Sequence, residues 1–280
     1  MRPDVPRYAL NDGYSLPMIG FGTYPLKGGD GVAAMVSAME AGYRLLDTAV
    51  NYGNEQDVGT AIRRSALPRE DVLVTTKIPG RHHDESAATR SIEDSLRRLG
   101  LDYLDLCLIH WPNPRVGKYV EAWRALVKAR ERGLVRSIGV SNFTRDHLQD
   151  VVDDTGVVPA VNQVELHPYF PQGDMRAVHA RFGVLTESWS PLGKRSAPFD
   201  QAPVVRAAEA HGVTPAQVIL RWHLQLGALP LPKSATPARQ RQNLDVFGFE
   251  LDDDEMAEIT GLGRADGRLF GGDPDTHEEL

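Results

Sequence analysis

The chain has 280 residues, 41% of them hydrophobic and 25% charged, with a formal net charge of −7. That balance belongs to a soluble globular protein with enough apolar mass for a substantial core, and the acidic excess speaks against nucleic acid or an anionic membrane as partner. No run approaches the roughly 18 consecutive apolar residues of a membrane span, and Met1-Arg2-Pro3-Asp4-Val5-Pro6 has no apolar leader core, so a cytoplasmic location is expected.

Along the chain, Tyr8-Ala9-Leu10 and Tyr14-Ser15-Leu16 flank Asn11-Asp12-Gly13, which predicts a β-hairpin turned at Asp-Gly. Short apolar runs follow at 18–20, 45–47, 72–77, 104–110, 137–141, 161–165, 185–189 and 228–230. Helical patterns lie between them. In 86–99, Ile92, Leu96 and Leu99 share one face. The segment 118–132 ends at Gly133, a good C-cap, and 144–155 opens on Thr144, a good N-cap. The acidic run Asp252-Asp253-Asp254-Glu255 suits a solvated helix start. Apolar runs separated by helices predict parallel strands covered on both faces. At this length one (β/α)₈ barrel domain over 1–280 is expected, with an open doubly wound sheet as the alternative. The lone cysteine, Cys107, sits inside an apolar run and reads as a core residue.

Polar residues gather at the ends of these runs: Asp47, Lys77, His110, Ser141-Asn142, Gln163, Trp189-Ser190, and Lys233-Ser234 just beyond the last. In a parallel barrel such ends share one face, where barrel enzymes build their sites. Any one of them could be structural; their convergence predicts a site.

The stretch from Gly42-Tyr43-Arg44-Leu45-Leu46-Asp47 to Asn51-Tyr52-Gly53-Asn54-Glu55 resembles the first signature of the aldo-keto reductases. Leu104–Pro112, Gly139-Val140-Ser141-Asn142-Phe143 and Leu231-Pro232-Lys233-Ser234 resemble three further family motifs, in the family's order. The resemblance covers essentially the whole chain. It implies an NADPH-dependent carbonyl reductase, a monomer, acting on a small-molecule carbonyl substrate through a catalytic tetrad of Asp47, Tyr52, Lys77 and His110.

The chemistry of those side chains is consistent with that implication. Reducing a carbonyl takes a hydride at carbon and a proton at oxygen. Tyr52 can give the proton, but a free phenol, with a pKa of about 10, is a poor acid at neutral pH. A Lys77 ammonium beside it is expected to lower that pKa. Asp47 pairs with Lys77, and His110 orients the carbonyl oxygen.

No Gly-x-Gly-x-x-Gly follows a strand, so no Rossmann site is indicated. The resemblance implies instead that Gly22, Thr23, Tyr24 and Asp47 approach the nicotinamide riboside, and that Ser141, Asn142 and Gln163 hold its carboxamide. It places Trp189 against the ring and Ser190 and Leu192 toward the pyrophosphate. Lys233, Ser234, Thr236, Arg239, Gln242 and Asn243 match the loop that holds the adenosine 2′-phosphate. A guanidinium fork and a helix start near Thr236-Pro237 both favour that anion.

The substrate pocket is expected between Phe21, Tyr24, Tyr52, His110, Trp111 and Trp189. Arg268 or Lys27 near its mouth could meet a carboxylate, though both read more simply as solvated charges. The short tail after Gly263, rich in Gly and Asp, resembles the bacterial branch that includes the diketogluconate reductases. His82-His83 read as an exposed loop, and Glu165 with His167 lack a third ligand, so no metal is expected. A cofactor-binding regulatory module and an unrelated barrel hydrolase are the competing readings. The intact tetrad weighs against the first, and the lack of a metal set or phosphate loop against the second.

Overall fold

A computed structural model describes residues 5–280; Met1 to Asp4, in the N-terminal stretch read above, lie outside the described residues. Two strands, β1 (Arg7–Ala9) and β2 (Ser15–Pro17), pair antiparallel as the predicted hairpin. Its turn is longer than the two-residue Asp-Gly turn expected. Leu10 N donates to Tyr14 O at 2.9 Å, and Gly13 takes a left-handed φ of +86° while Asp12 does not. A two-residue type I′ turn needs positive φ at both central residues. Here Asp12 instead accepts from Tyr14 N through its carboxylate, at 3.0 Å.

Eight strands then follow in parallel: β3 (Phe21–Gly22), β4 (Leu45–Asp47), β5 (Leu73–Ile78), β6 (Leu104–Ile109), β7 (Val135–Ser141), β8 (Val161–Glu165), β9 (Leu185–Trp189) and β10 (Ala228–Pro230). Neighbours in the sheet are neighbours in sequence from β3 to β10. Backbone bonds from Gly20 N to Pro230 O (3.1 Å) and Gly22 N to Pro232 O (3.2 Å) join the first strand to the last and close the ring. The predicted first run, 18–20, is thus replaced by a two-residue strand at its end. A Cβ on Gly20 would come 2.6 Å from Leu231 Cδ2 and 2.9 Å from Leu45 Cδ2, so a larger residue at the closing seam would displace those two side chains.

Helices α1 (Gly28–Ala41), α2 (Glu55–Arg64), α3 (Glu85–Leu99), α4 (Tyr119–Glu131), α5 (Arg145–Thr155) and α6 (Gly173–Phe182) each connect consecutive strands. Between β9 and β10 lie two, α7 (Ala202–His211) and α8 (Pro215–Gln225); α9 (Pro237–Leu244) and α10 (Asp253–Thr260) follow β10. The caps behave as their residue types dictate. Thr144 and Asp252 each close a capping box, with His147 and Glu255 as partners.

The core is layered. Between strands and helices lies a cluster that includes Met35, Tyr43, Val74, Ile92, Cys107, Trp123 and Phe143. Inside the barrel, Leu45, Leu73, Leu106, Leu108, Val161 and Leu229 pack with Leu10 and Leu16 of the hairpin. The hairpin covers the end where the strands begin: Asn11 Nδ2 donates to Pro159 O, Tyr14 Oη to Asp105 Oδ1, and Ser137 Oγ to Asp12 Oδ2. The opposite, C-terminal ends of the strands are left for a site. Among the described residues, no helix is long and apolar enough to cross a membrane.

His82 and His83 depart from the expected exposed loop. Gly80–His82 form a 3₁₀ turn, and His83 is fully buried behind it. The same turn meets the C-terminal residues, with Gly80 N donating to Glu279 O at 3.2 Å.

Candidate active site

Strand register brings the polar run ends together. Asp47 ends β4, and Lys77 lies in β5 one position before its end, with its ammonium wholly enclosed. Lys77 Nζ donates to Asp47 Oδ1 at 2.6 Å, to Thr48 O at 2.9 Å and to Tyr52 Oη at 3.3 Å. All three protons of the ammonium thus have acceptors. Tyr52 reaches the site from a 3₁₀ turn, Val50–Tyr52, and its ring lies edge-on to that of His110, with centroids 5.8 Å apart.

Burial works to lower the Lys77 pKa, but Asp47 and Tyr52 outweigh it, and the ammonium is held charged above its ordinary range. For Tyr52 the balance runs against expectation. Lys77 does pull its pKa down, yet burial is the larger effect, and the phenol is pushed up to about 12. The sequence suggests the charge partner and cannot show the depth of the pocket. Tyr52 therefore keeps its proton throughout the neutral range.

A cavity of about 1150 Å³ runs from Tyr52, His110 and Trp111 past Asn142 and Gln163 to Lys233, Arg239 and Asn243. Gly22, Tyr24, Asp47, Ser141, Trp189, Ser190, Leu192, Ser234, Thr236 and Gln242 also line it, so nearly every residue expected at the cofactor meets one space. Thr23, expected at the cofactor, and Phe21, expected in the substrate pocket, do not, and Lys77 lies behind Asp47 and Tyr52. Thr23 is fully buried, and its hydroxyl donates to Asp47 O at 2.9 Å and receives Asn54 Nδ2 at 3.1 Å, which ties the start of the barrel together behind the cavity wall. Phe21 is also fully buried and packs edge-on against Tyr43 under α1 rather than in the pocket. Adjacent strand residues face opposite ways, and Gly22 takes the cavity side.

The cavity's two ends differ chemically. At the adenosine-side loop, Lys233 and Arg239 are exposed and make no ion pair or hydrogen bond among the described residues. Two unpaired cations beside the N-terminus of α9 suit a phosphate. At the barrel centre, Gln163 Nε2 donates to both Asp47 Oδ1 (2.9 Å) and Glu187 Oε2 (2.6 Å). Asn142 is fixed between Trp189 Nε1 (2.8 Å) and His110 O (3.1 Å). Asn142 and Ser190 adopt left-handed backbone, at φ +61° and +51°, a cost that non-glycine residues bear mostly at functional sites. The residues present therefore fit a dinucleotide phosphate at one end and a carboxamide at the other.

Four residues at the site were not expected. Glu187 is fully buried on β9, in register with Gln163. The other three belong to the tail. Phe270 stacks on Trp189 at 5.3 Å and 13°, His277 sits 4.3 Å from Trp111, and Glu279 Oε1 lies 3.0 Å from His110 Nδ1. The tail thus crosses the cavity mouth and forms part of its wall. Arg268 serves that crossing, donating to Gly272 O at 2.9 Å with its guanidinium over Phe170, while Lys27 stays at the exposed surface. Glu165 and His167 form a buried pair at 3.0 Å that also receives Leu269 N at 2.6 Å; they anchor the tail.

A closed parallel barrel with a tyrosine, lysine, aspartate and histidine at the strand ends, beside a long cavity with a cationic far end, defines a barrel oxidoreductase. Comparison with known proteins agrees. The model of the aldo/keto reductase family matches residues 18–264. A 2,5-diketo-D-gluconic acid reductase B of Corynebacterium sp. (strain SHS752001) is 58% identical over 278 residues, 99% of this chain and 100% of that protein. A crystal structure of a Gox0644 variant in complex with NADPH superposes with TM-score 0.93 at 42% identity, covering 99% of this chain and 100% of that one. A Bombyx mori aldo-keto reductase in complex with NADP gives TM-score 0.88 at 32% identity, over 93% of this chain and 94% of the other. The chain belongs to the aldo/keto reductase family. It is an oxidoreductase acting on carbonyl compounds.

Proposed function

We propose that the protein reduces aldehydes and ketones to alcohols with NADPH, acting as a single barrel unit over 1–280, with Tyr52 as the proton donor. The observation that carries this reading is the cluster in which Lys77 Nζ bridges Asp47 (2.6 Å) and Tyr52 (3.3 Å) at the inner end of the cavity. Bound NADPH supplies the hydride that reaches the carbonyl carbon. Tyr52 Oη gives its proton to the carbonyl oxygen as negative charge grows there, and the adjacent ammonium stabilises the phenolate that remains. Asp47 keeps Lys77 charged and in place. His110 holds the carbonyl oxygen toward Tyr52. Trp111, Tyr24 and the tail wall off water, which strengthens each of these interactions.

Lys233 and Arg239, with Ser234, Thr236, Gln242 and Asn243, hold the adenosine 2′-phosphate; Gln163, Asn142 and Ser141 hold the carboxamide. Phe270 occupies one face of the Trp189 indole, and the other face is the one that would take the nicotinamide. A relative at 58% identity is named for 2,5-diketo-D-gluconic acid, which supports a diketo sugar acid as a candidate substrate to test. We read the enzyme as a cytoplasmic monomer.

The test is NADPH consumption by purified wild type and Tyr52→Phe with an aromatic aldehyde, methylglyoxal, an aldose and a diketo sugar acid. The wild type turns over, and the variant loses about 10²–10⁴ in rate while still binding NADPH. NADPH binding without turnover on any substrate overturns the enzyme reading in favour of a regulatory module.

A further inference from the structure

Successive side chains of β9 point in opposite directions. Thr186 Oγ1 meets His179 Nδ1 at 2.8 Å and Ser188 Oγ meets His223 Nδ1 at 3.2 Å, so these two face the helices. Leu185, Glu187 and Trp189 form the inward column; Leu185 packs with the apolar interior, and Trp189 lines the cavity. Glu187 lies between them, fully buried and in register with Gln163 of β8. An aliphatic residue would fill that position with no polar group to satisfy, and Glu187 Oε1 has no partner among the described residues. A carboxyl in such a place calls for a task beyond packing.

Gln163 shows what that task is. Its backbone is fixed by β7, with Ser141 Oγ and Asn142 N donating to Gln163 O at 2.8 and 2.9 Å. Its side-chain nitrogen carries two protons. One goes to Asp47 Oδ1 at 2.9 Å and the other to Glu187 Oε2 at 2.6 Å. Asp47, ion-paired with Lys77, can only accept, so the amide cannot be turned end for end. Nε2 is thereby saturated, and Gln163 Oε1 makes no hydrogen bond among the described residues. Its neighbours are already engaged: Asn142 Oδ1 accepts from Trp189, Asn142 Nδ2 donates to His110 O and Ser141 Oγ, and Ser141 Oγ donates to Gln163 O. Of these three side chains along the inner cavity, Gln163 alone has an open polar atom among the described residues, and that atom is an acceptor.

We propose that Glu187 is a positioning residue for the cofactor: with Asp47 it pins the Gln163 amide nitrogen, so that Gln163 presents its oxygen to the cavity and accepts from the carboxamide N–H of the nicotinamide. Glu187 touches neither substrate nor cofactor and acts through Gln163. A carboxamide oxygen set against Gln163 Oε1 would place two acceptors together, so the clamp selects one end of the carboxamide. Without Glu187, the second Nε2 proton is left unpaired in a buried place, and the Gln163 amide loses its fixed orientation. Burial, reinforced by the Asp47 charge, pushes the Glu187 pKa up to about 8, so in mild acid a neutral carboxyl takes the Gln163 proton on its carbonyl oxygen. Glu187→Gln keeps a carbonyl oxygen at the same reach, whereas Glu187→Leu removes it.

This inference rests on the reductase reading and its placement of the carboxamide, and the experiment separates the two. Wild type, Glu187→Gln and Glu187→Leu are titrated at about pH 6 by tryptophan fluorescence with NADP⁺ and with its 3-acetylpyridine analogue. In the analogue an acetyl group replaces the carboxamide, and no N–H is left to donate. Glu187→Met is run beside Glu187→Leu, since a flexible side chain fills the same space if the branched one does not. Wild type should prefer NADP⁺ by about 2- to 10-fold, the worth of one hydrogen bond between neutral groups. Glu187→Gln should keep that preference. Glu187→Leu and Glu187→Met should bring it close to unity, with the analogue itself bound within about twofold of wild type. A preference retained in the apolar variants, or lost equally in Glu187→Gln, overturns the proposal. So does a wild type that binds both dinucleotides alike, which leaves the reductase reading standing. A wild type that binds neither counts against that reading itself.

Discussion

Glu187 is enclosed in the barrel beneath the Asp47–Lys77 pair, with Oε2 receiving Gln163 Nε2 at 2.6 Å and Oε1 without a partner. Burial, reinforced by the Asp47 charge, pushes its pKa up to about 8 from an ordinary 4.5, against smaller opposing effects of Gln163 and Lys77. The carboxyl is therefore neutral in the fold at neutral pH, where the unfolded chain would ionise it. A raised folded pKa contributes stability in full below the ordinary value and loses it as pH climbs through the folded one. Between pH 4.5 and about 8 the wild type should thus lose stability on this account and then level off. Glu187→Gln keeps the acceptor for Gln163 and cannot ionise. Its stability relative to wild type should rise from pH 5 to pH 8.5 in urea unfolding. A difference that stays flat would mean that the carboxyl is already ionised in the fold.

At the scale of elements, helix packing is set by one glycine. A Cβ on Gly59 of α2 would come 2.0 Å from Leu99 O and 2.7 Å from Leu99 C, both backbone atoms at the end of α3. Neither can rotate away, so α2 would have to move. Gly59→Ala should cost about 1–3 kcal/mol or more in chemical denaturation, the range for overpacking. Gly173→Ala, with nothing within 4 Å of its added Cβ at the start of α6, should be neutral or slightly stabilising. If both variants unfold at the same denaturant concentration, Gly59 is not a contact point.

The same scale explains what could be read in advance. Runs 45–47, 161–165, 185–189 and 228–230 coincide with β4, β8, β9 and β10, because strands covered on both faces leave a continuous apolar record. The strand predicted at 18–20 emerged at Phe21–Gly22, since two residues of pairing are decided by the register of β4 and the β10 end. The grouping of Asp47, Tyr52, Lys77 and His110 was legible because each lies at or next to a strand end or in a quoted motif. Glu187 reads as one polar residue in an apolar run, and only its enclosure gives it meaning. Glu279, His277 and Phe270 lie in a tail with no apolar period, so their partners on β6, β9 and the loops beyond could not be foreseen. Thr23 and Phe21 failed for the converse reason: proximity in sequence to the cavity does not say which way a side chain points.

For the whole molecule, the charge distribution matters more than its sum. The chain carries −7 overall, yet Lys233 and Arg239 stand exposed and, among the described residues, unpaired at the far end of the cavity. An acidic protein with a local cationic pocket selects for the anion that reaches that pocket, and the 2′-phosphate is the group that distinguishes NADPH from NADH. A hydrogen bond to a charged group contributes about 1.5–3 kcal/mol, which converts to roughly 10- to 150-fold in affinity. Arg239→Ala should therefore weaken NADPH binding by about that factor and leave NADH nearly unchanged, narrowing the preference without touching the tetrad. Exposed charges are screened by salt, so wild-type NADPH affinity should also fall with ionic strength more steeply than that of the variant. Fluorescence titration of both cofactors at low and high salt checks both points. Equal weakening of NADPH and NADH by Arg239→Ala would move the 2′-phosphate contact elsewhere, with Lys233 next to test.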